Sequence, residues 1–194
     1  MELNNIDFDK KITELLNTLA KSPVIVGIDG KCGGGKTTLA NALANTYACH
    51  IISMDDFFLR QEQRNAQRMQ EIGGNIDYER FIEQVVIPIR EHKNMLKYNR
   101  FNCQSQTFVE VIKVPLRDLV VVEGTYSLHK LFRDMYDIKI FVDIPYEQQI
   151  ERLSQRESEE KLAMFIEKWI PLEEKYFFGM DVRKHSDFVI GNNT

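Results

Sequence analysis

Five short stretches of this chain read as strands without a polar face: 23–29 (PVIVGID), 50–53 (HIIS), 119–122 (LVVV), 138–142 (IKIFV) and 188–190 (FVI). Such strands must be covered on both sides, as in a parallel sheet clothed by helices. The intervening segments carry the helical period. Ile12, Leu15, Leu16 and Leu19 recur over 9–21, ahead of Pro23, and Leu39, Leu43 and Tyr47 form one stripe over 36–47. Further helices are expected over 77–91, stopped or bent near Pro88, over 127–136 with Ser127 as its cap, and over 146–156. Another starts near 161, where Leu162, Phe165, Ile166 and Trp169 share a face, and bends at Pro171. Residues 106–114 (QTFVEVIKV) alternate, as an exposed strand or hairpin arm does. Strands alternating with helices predict an α/β fold, a three-layer α/β/α sandwich around a mainly parallel five-stranded sheet. Ligands in such sheets bind beyond the carboxyl ends of the strands.

The 194 residues suit a single domain with a sizeable core. A net charge of -4 argues against a general nucleic-acid binder, so an anionic small molecule would need local cations and backbone amides. No apolar run approaches the ~18–20 residues of a membrane span. The first residues, MELNNIDFDKKITELL, carry acids early and lack the apolar core of a signal peptide. Cys32, Cys49 and Cys103 show neither a CxxC nor a zinc spacing, which fits a reducing, cytoplasmic setting.

Residues 26–40, VGIDGKCGGGKTTLA, concentrate glycine where a buried strand gives way to an amphipathic helix. From Gly30 through Lys31, Cys32, Gly33, Gly34, Gly35 and Lys36 to Thr37 they fit G-x-x-x-x-G-K-[ST], with Thr38 next in the helix. Successive amides can turn inward around phosphate oxygens only with dihedrals that a Cβ penalises, and the helix start adds its positive end. A glycine-rich turn that merely joins strand to helix would share the composition. The placement at that junction is the one a phosphate-binding loop requires, so a nucleoside triphosphate is expected. Lys36 would reach the β- and γ-phosphates and the Thr37 hydroxyl would ligate Mg²⁺. Neither the N-K-x-D base-reading motif of GTPases nor the LSGGQ-type signature of ABC ATPases is found.

GIDGKCGGGKTT, SMDDFF, VVVEG, YDIKIFVDIPYEQQIERLSQR and SDFVI follow one another between residues 24 and 191. In that order they resemble the P-loop kinases of the uridine kinase, phosphoribulokinase and nicotinamide riboside kinase group, bacterial uridine kinase-like proteins above all. The resemblance implies an N-terminal helix within 1–22, an acceptor region with a small hairpin over 59–114, and a lid over 146–170. It implies ATP and Mg²⁺ as cofactors and a small-molecule acceptor, with no nucleic acid or membrane partner and a homodimer left open. Asp55 would be the base facing the acceptor hydroxyl, and Glu123 would sit near Mg²⁺, directly or through water. Arg152 and Arg156 would touch the triphosphate from the lid. Asp77, Tyr78, Tyr98, Arg100 and Arg133 would reach the acceptor, and Gly191 and Asn192 the adenine.

Each assignment has a plainer alternative. Asp56 and Asp77 could be caps, the aromatics core, and Arg133 a cation satisfying carbonyls at a helix end. Arg152 and Arg156 could be a solvated face paired with neighbouring glutamates, Glu123 a strand-end acid paired to a lysine, and Asp143 structural. Arg60, Arg64 and Arg68, spaced by four, are either a solvated helical face or a phosphate clamp. The acceptor region lacks the family's usual uracil-reading residues. A nucleoside such as uridine or cytidine is the first expectation; pantothenate, a sugar or a sugar phosphate is the alternative. From another class comes a nucleotide-binding regulator without kinase turnover.

Overall fold

The computed structural model describes residues 2–3, 5–19, 22–47, 49–116 and 118–191, with side chains from residue 10 onward. Its central sheet is entirely parallel, in the order β1-β8-β7-β2-β6-β3. The strands are β1 (Glu2–Leu3), β2 (Val24–Gly30), β3 (His50–Ser53), β6 (Leu119–Glu123), β7 (Ile138–Asp143) and β8 (Phe188–Gly191), β1 adding a two-residue edge to the five expected. A separate antiparallel hairpin joins β4 (Met95–Asn102) to β5 (Thr107–Pro115).

Burial on both faces explains the strands' composition. In β6, Val120 and Val122 face a core built with Ile25, Ile52, Phe57, Phe81, Phe132 and Tyr176. Leu119 and Val121 face the opposite core, with Ile12 of helix α1 (Asn5–Thr18) and Ala40 and Leu43 of helix α2 (Lys36–Tyr47). Alternate residues of one strand thus enter different apolar layers.

β2 lies between β6 and β7, and the registers Ile28↔Glu123, Ser53↔Glu123 and Gly30↔Val142 bring the strands' carboxyl ends together. The chain leaves β2 for one side and reaches β7 on the other. This is the crevice in which an open parallel sheet binds ligands.

Two expectations are corrected and one is narrowed. No helix runs over 127–136; the chain makes turns and then one 3₁₀ turn, Arg133–Met135. Asp29 takes the amides of Tyr126 and Leu128, Gly124 and Tyr126 adopt positive φ (130° and 77°), and the amides of His129, Phe132 and Met135 bond three residues back, so turns replace the helix. Ser127 caps nothing; its hydroxyl is buried without a hydrogen-bond partner among the described residues. The second, narrowed one concerns Pro88, expected to stop or bend its helix: it stops nothing, and the helix expected to bend at Pro171 also runs on. Wide π-turns at Ile82–Val86 and Phe165–Trp169 precede Pro88 and Pro171, relieving the clash of the ring with the preceding turn. Third, the arginines spaced by four share no helical face, because the chain breaks between Gln61–Gln63 and Ala66–Gln70.

Candidate active site

The glycine loop folds as its composition requires. Gly30 (φ 139°) crosses β7 so closely that a Cβ would sit 2.1 Å from the Val142 carbonyl oxygen. Gly33 and Gly35 also hold positive φ. The loop closes onto α2, and a cleft of about 1130 Å³ opens above it, lined by residues 32–38.

Lys36, only 9% exposed, arches back over the loop, its Nζ donating to the carbonyls of Gly30 (2.8 Å) and Lys31 (2.9 Å). That curl holds the ammonium at the loop's mouth. Thr37 Oγ1 donates to Glu123 Oε2 at 3.2 Å, and Ser53 Oγ donates to Glu123 Oε1 at 3.3 Å. Burial pushes the Glu123 carboxyl up, and the nearby Asp55 charge adds to this, while Lys36 and the two hydroxyls pull it down. A buried carboxylate with two hydroxyls and no lysine or arginine ion pair among the described residues suits a hard cation.

Asp55 follows β3 in the turn Met54–Phe57, with Ser53 as its N-cap. Its carboxyl is open to the cleft yet lies deep within it. Protein around it raises its pKa; Lys36 and Arg156 oppose the rise and Asp56 reinforces it. Arg152 donates to the Gly33 carbonyl (3.2 Å), which seats it beside the phosphate loop. Arg156 also lines the cleft, although its Nε is engaged by Glu157 at 2.8 Å.

Two other loop residues turn their side chains to neighbouring elements. Lys31 points its side chain at Asp143 (2.9 Å) and the Ile144 carbonyl, away from the cleft, and contributes its backbone alone. Asp143 binds Arg183 as well, in keeping with a structural role. Cys32 is clamped between two elements: its N–H donates to Glu173 Oε2 (3.1 Å), and Gln149 Nε2 donates to its carbonyl. Burial first, then Glu173, pushes its thiol up to about 12, so it stays protonated and chemically quiet.

Of the residues expected to touch the acceptor, Asp55 alone lines the cleft. Asp77, 2% exposed, caps the following helix through the Arg80 N–H and pairs with Arg80 Nε at 3.1 Å. The Tyr78 hydroxyl donates to Glu71, and its ring lies 3.6 Å beneath the Arg68 guanidinium. Tyr98 is buried against Phe57. Arg100 bridges Asp56 (2.9 Å) and Glu110 (3.1 Å), so Asp56 ties the hairpin to β3's end rather than capping a turn. Arg133 donates to the Met180 carbonyl. Asp77 and Tyr98 are buried, Tyr78 and Arg133 half-buried and Arg100 exposed, and each is engaged within the protein, Tyr98 by Asp56. Gly191 closes β8, and Asn192 lies outside the described residues.

Phe58, Arg64, Asn75, Gln106, Tyr126 and Glu173 stand in the cleft wall instead. Arg60 is held by Glu62 and Arg68 by Glu79. Arg64, anchored only by the Leu59 carbonyl (3.2 and 2.9 Å), keeps no carboxylate partner among the described residues. Two further acids escaped the sequence reading. Asp29, fully buried, accepts from the N–H groups of Gly30 (2.7 Å), Tyr126 (3.2 Å) and Leu128 (2.8 Å) and from the Tyr176 hydroxyl (2.7 Å). Burial pushes it up to about 6, against those hydrogen bonds and Lys36. An acid inside an apolar strand was the available signal. For Glu173 the signal was its place on the helical face of Ile170, Tyr176 and Phe177.

Residues 25–178 match the model of the family described as "Cytidylate kinase-like family". A uridine kinase of Latilactobacillus sakei is 27% identical over 154 residues, which are 75% of this chain and 72% of the relative. A uridine kinase of Anoxybacillus flavithermus is 24% identical over 187 residues, 89% of this chain and 87% of the relative. Among solved structures, a possible uridine kinase from Bacillus stearothermophilus superposes with a TM-score of 0.69 at 19% identity, over 95% of this chain and 99% of that one. That likeness is one of fold. No helix of the described residues is long and apolar enough to cross a membrane.

Proposed function

The chain belongs to the cytidylate kinase-like family, and from that premise we propose that it transfers the terminal phosphoryl group of ATP, with Mg²⁺, to a hydroxyl of a small metabolite, first of all a nucleoside such as uridine or cytidine. The observation that carries this reading is the presence in one cleft of the loop 32–38 and the Asp55 carboxylate. A phosphate acceptor needs no base, whereas an alcohol does.

The chain's own groups supply three things. Loop amides and Lys36 hold the triphosphate, with Arg152 and Arg156 adding charge where it builds up on the transferring group. Asp55 orients the acceptor hydroxyl and takes its proton as the new O–P bond forms. Desolvation by the surrounding cleft walls makes that carboxylate a stronger base than an isolated aspartate, while Lys36 and Arg156 help keep it ionised. Thr37 and Glu123 are the residues that would hold Mg²⁺. When bound, the ion neutralises charge on the phosphates and fixes their orientation. Ser53 steers Glu123.

The named relatives are called uridine kinases, which supports a nucleoside acceptor. A second reading, an alcohol that already carries a phosphate, is favoured by Arg64, the cleft arginine on the acceptor side that lacks a carboxylate partner among the described residues. ADP release measured over ribonucleosides, pantothenate and sugar phosphates decides between them. An acceptor-dependent rate is expected. If no compound raises ADP formation above the water background, the kinase reading fails.

A further inference from the structure

Glu173 has no part in the mechanism above, yet its surroundings are unusual for a side chain without a role. It is 7% exposed and lines the cleft from the helix Ile170–Gly179. Tyr176, one turn along, is bonded to Asp29, so the helix is fixed against the end of β2. Among the described residues Glu173 pairs with no lysine, arginine or histidine. Oε2 is committed to the Cys32 N–H at 3.1 Å.

Oε1 is not comparably served. Its hydroxyl neighbour is Thr125 Oγ1 at 3.4 Å, which carries one hydrogen and has a shorter acceptor in the Gly30 carbonyl at 3.1 Å. The Cys32 thiol is a weak donor. A buried carboxylate with an under-served oxygen is costly to keep unless something donates to it.

The position matters as much as the deficit. Lys36, Asp55 and Glu173 all line the same cleft, and the Lys36 charge acts on both acids. An acceptor held in that cleft has both carboxyls in its walls.

We propose that Glu173 is a second acceptor-binding residue, whose Oε1 receives a hydrogen bond from a hydroxyl other than the reacting one, so that the acceptors taken are diols and polyols rather than simple alcohols. This rests on the kinase reading for its chemistry, but its geometry can be tested without turnover. Asp55 takes the hydroxyl that is phosphorylated; Glu173 fixes the neighbouring one and with it the rotation of the acceptor about the line of attack. Such a contact acts on acceptor affinity and regiochemistry and leaves the nucleotide alone.

The test compares the full chain with Glu173→Gln, whose amide oxygen can still accept from the Cys32 N–H, and an unchanged melting temperature checks that the variant folds. Two readouts are taken, with uridine or cytidine against the matching 2′,3′-dideoxynucleoside. One is binding by calorimetry in the presence of a non-hydrolysable ATP analogue and Mg²⁺; the other is ADP release. The intact protein should favour the diol by at least about tenfold, as expected for one charge-assisted hydrogen bond. Glu173→Gln should erase most of that preference and raise the diol's dissociation constant without changing nucleotide affinity. Equal loss for both ligands, a loss of nucleotide affinity alone, or no preference in the intact protein would overturn the proposal and leave Glu173 as a brace for the loop. Glu173-dependent diol binding without ADP formation would uphold it while defeating the kinase reading.

Discussion

The two walls of the cleft are built on different principles. The wall we assign to the phosphates is backbone: glycines set its dihedrals, Gly30 presses against β7, and Lys36 is pinned by two carbonyls of its own loop. The wall we assign to the acceptor is side chains from distant segments, with Asp55 after β3, Arg64 between two short helical segments, Asn75 in a turn, Gln106 at the hairpin tip and Glu173 on a late helix. A wall of the first kind is written contiguously and tolerates little change. One of the second kind can be rebuilt a residue at a time, which fits a fold that serves many acceptors.

That contrast can be attacked first on the phosphate side. Lys36→Ala should lower turnover by ~10³, the scale for removing a preorganised charge at the reacting group. Steady-state ADP release with saturating acceptor reads it. A loss below tenfold would mean that Lys36 does not contact the transferring group.

On the acceptor side, Asp77→Ala should act on stability rather than recognition. It strands the buried Arg80 guanidinium and removes a helix cap, a loss of about 3–5 kcal/mol. Denaturant titration should show it, with acceptor KM unchanged in the folded fraction. A raised KM at unchanged stability would return Asp77 to the binding site.

Legibility follows the same division. β3 and α2 appear where the sequence puts them, because local periodicity and the glycine junction decide them. The first hairpin arm does not. A bulge between Arg100 and Phe101 shifts the inward parity from Leu96 and Tyr98 to Phe101, so no clean alternation survives. The stretch 127–136 departs from a helix because its amides close isolated turns, His129 onto the Tyr126 carbonyl and Phe132 onto that of His129, while Asp29, about a hundred residues earlier in the chain, anchors its start. The polar residues Asp77, Tyr78, Tyr98, Arg100 and Arg133 look like ligand contacts in one dimension. In three dimensions each is engaged by another group of the protein.

Asp29 also gives the comparison a pH signature. Burial lifts its folded pKa to about 6, above the ordinary aspartate value of about 3.9. Below about pH 4 it is protonated folded or unfolded; between about 4 and 6 only the fold holds the proton; above 6 ionisation carries its full cost. Stability should therefore fall as pH rises from 4 to 6, by up to about 3 kcal/mol from this group. Asp55, Glu123 and Glu173, also raised by burial, push the same way. Denaturation midpoints between pH 4 and 8 measure it, and a midpoint that climbs with pH throughout would contradict the buried cluster.

The smallest effect is expected at Arg133. Arg133→Gln removes one bond to the Met180 carbonyl and should cost about 1 kcal/mol of stability, with kcat/KM for every acceptor unchanged.

Asp55→Asn bears on the central claim most directly, because it keeps the shape of the cleft and removes only the proton acceptor. ADP release with an active acceptor, measured alongside ATP affinity, should fall by ~10²–10⁴ while ATP binds as before. Turnover within a few-fold of the unaltered protein at saturating substrates would show that the carboxylate beside the glycine loop does not face the reacting hydroxyl.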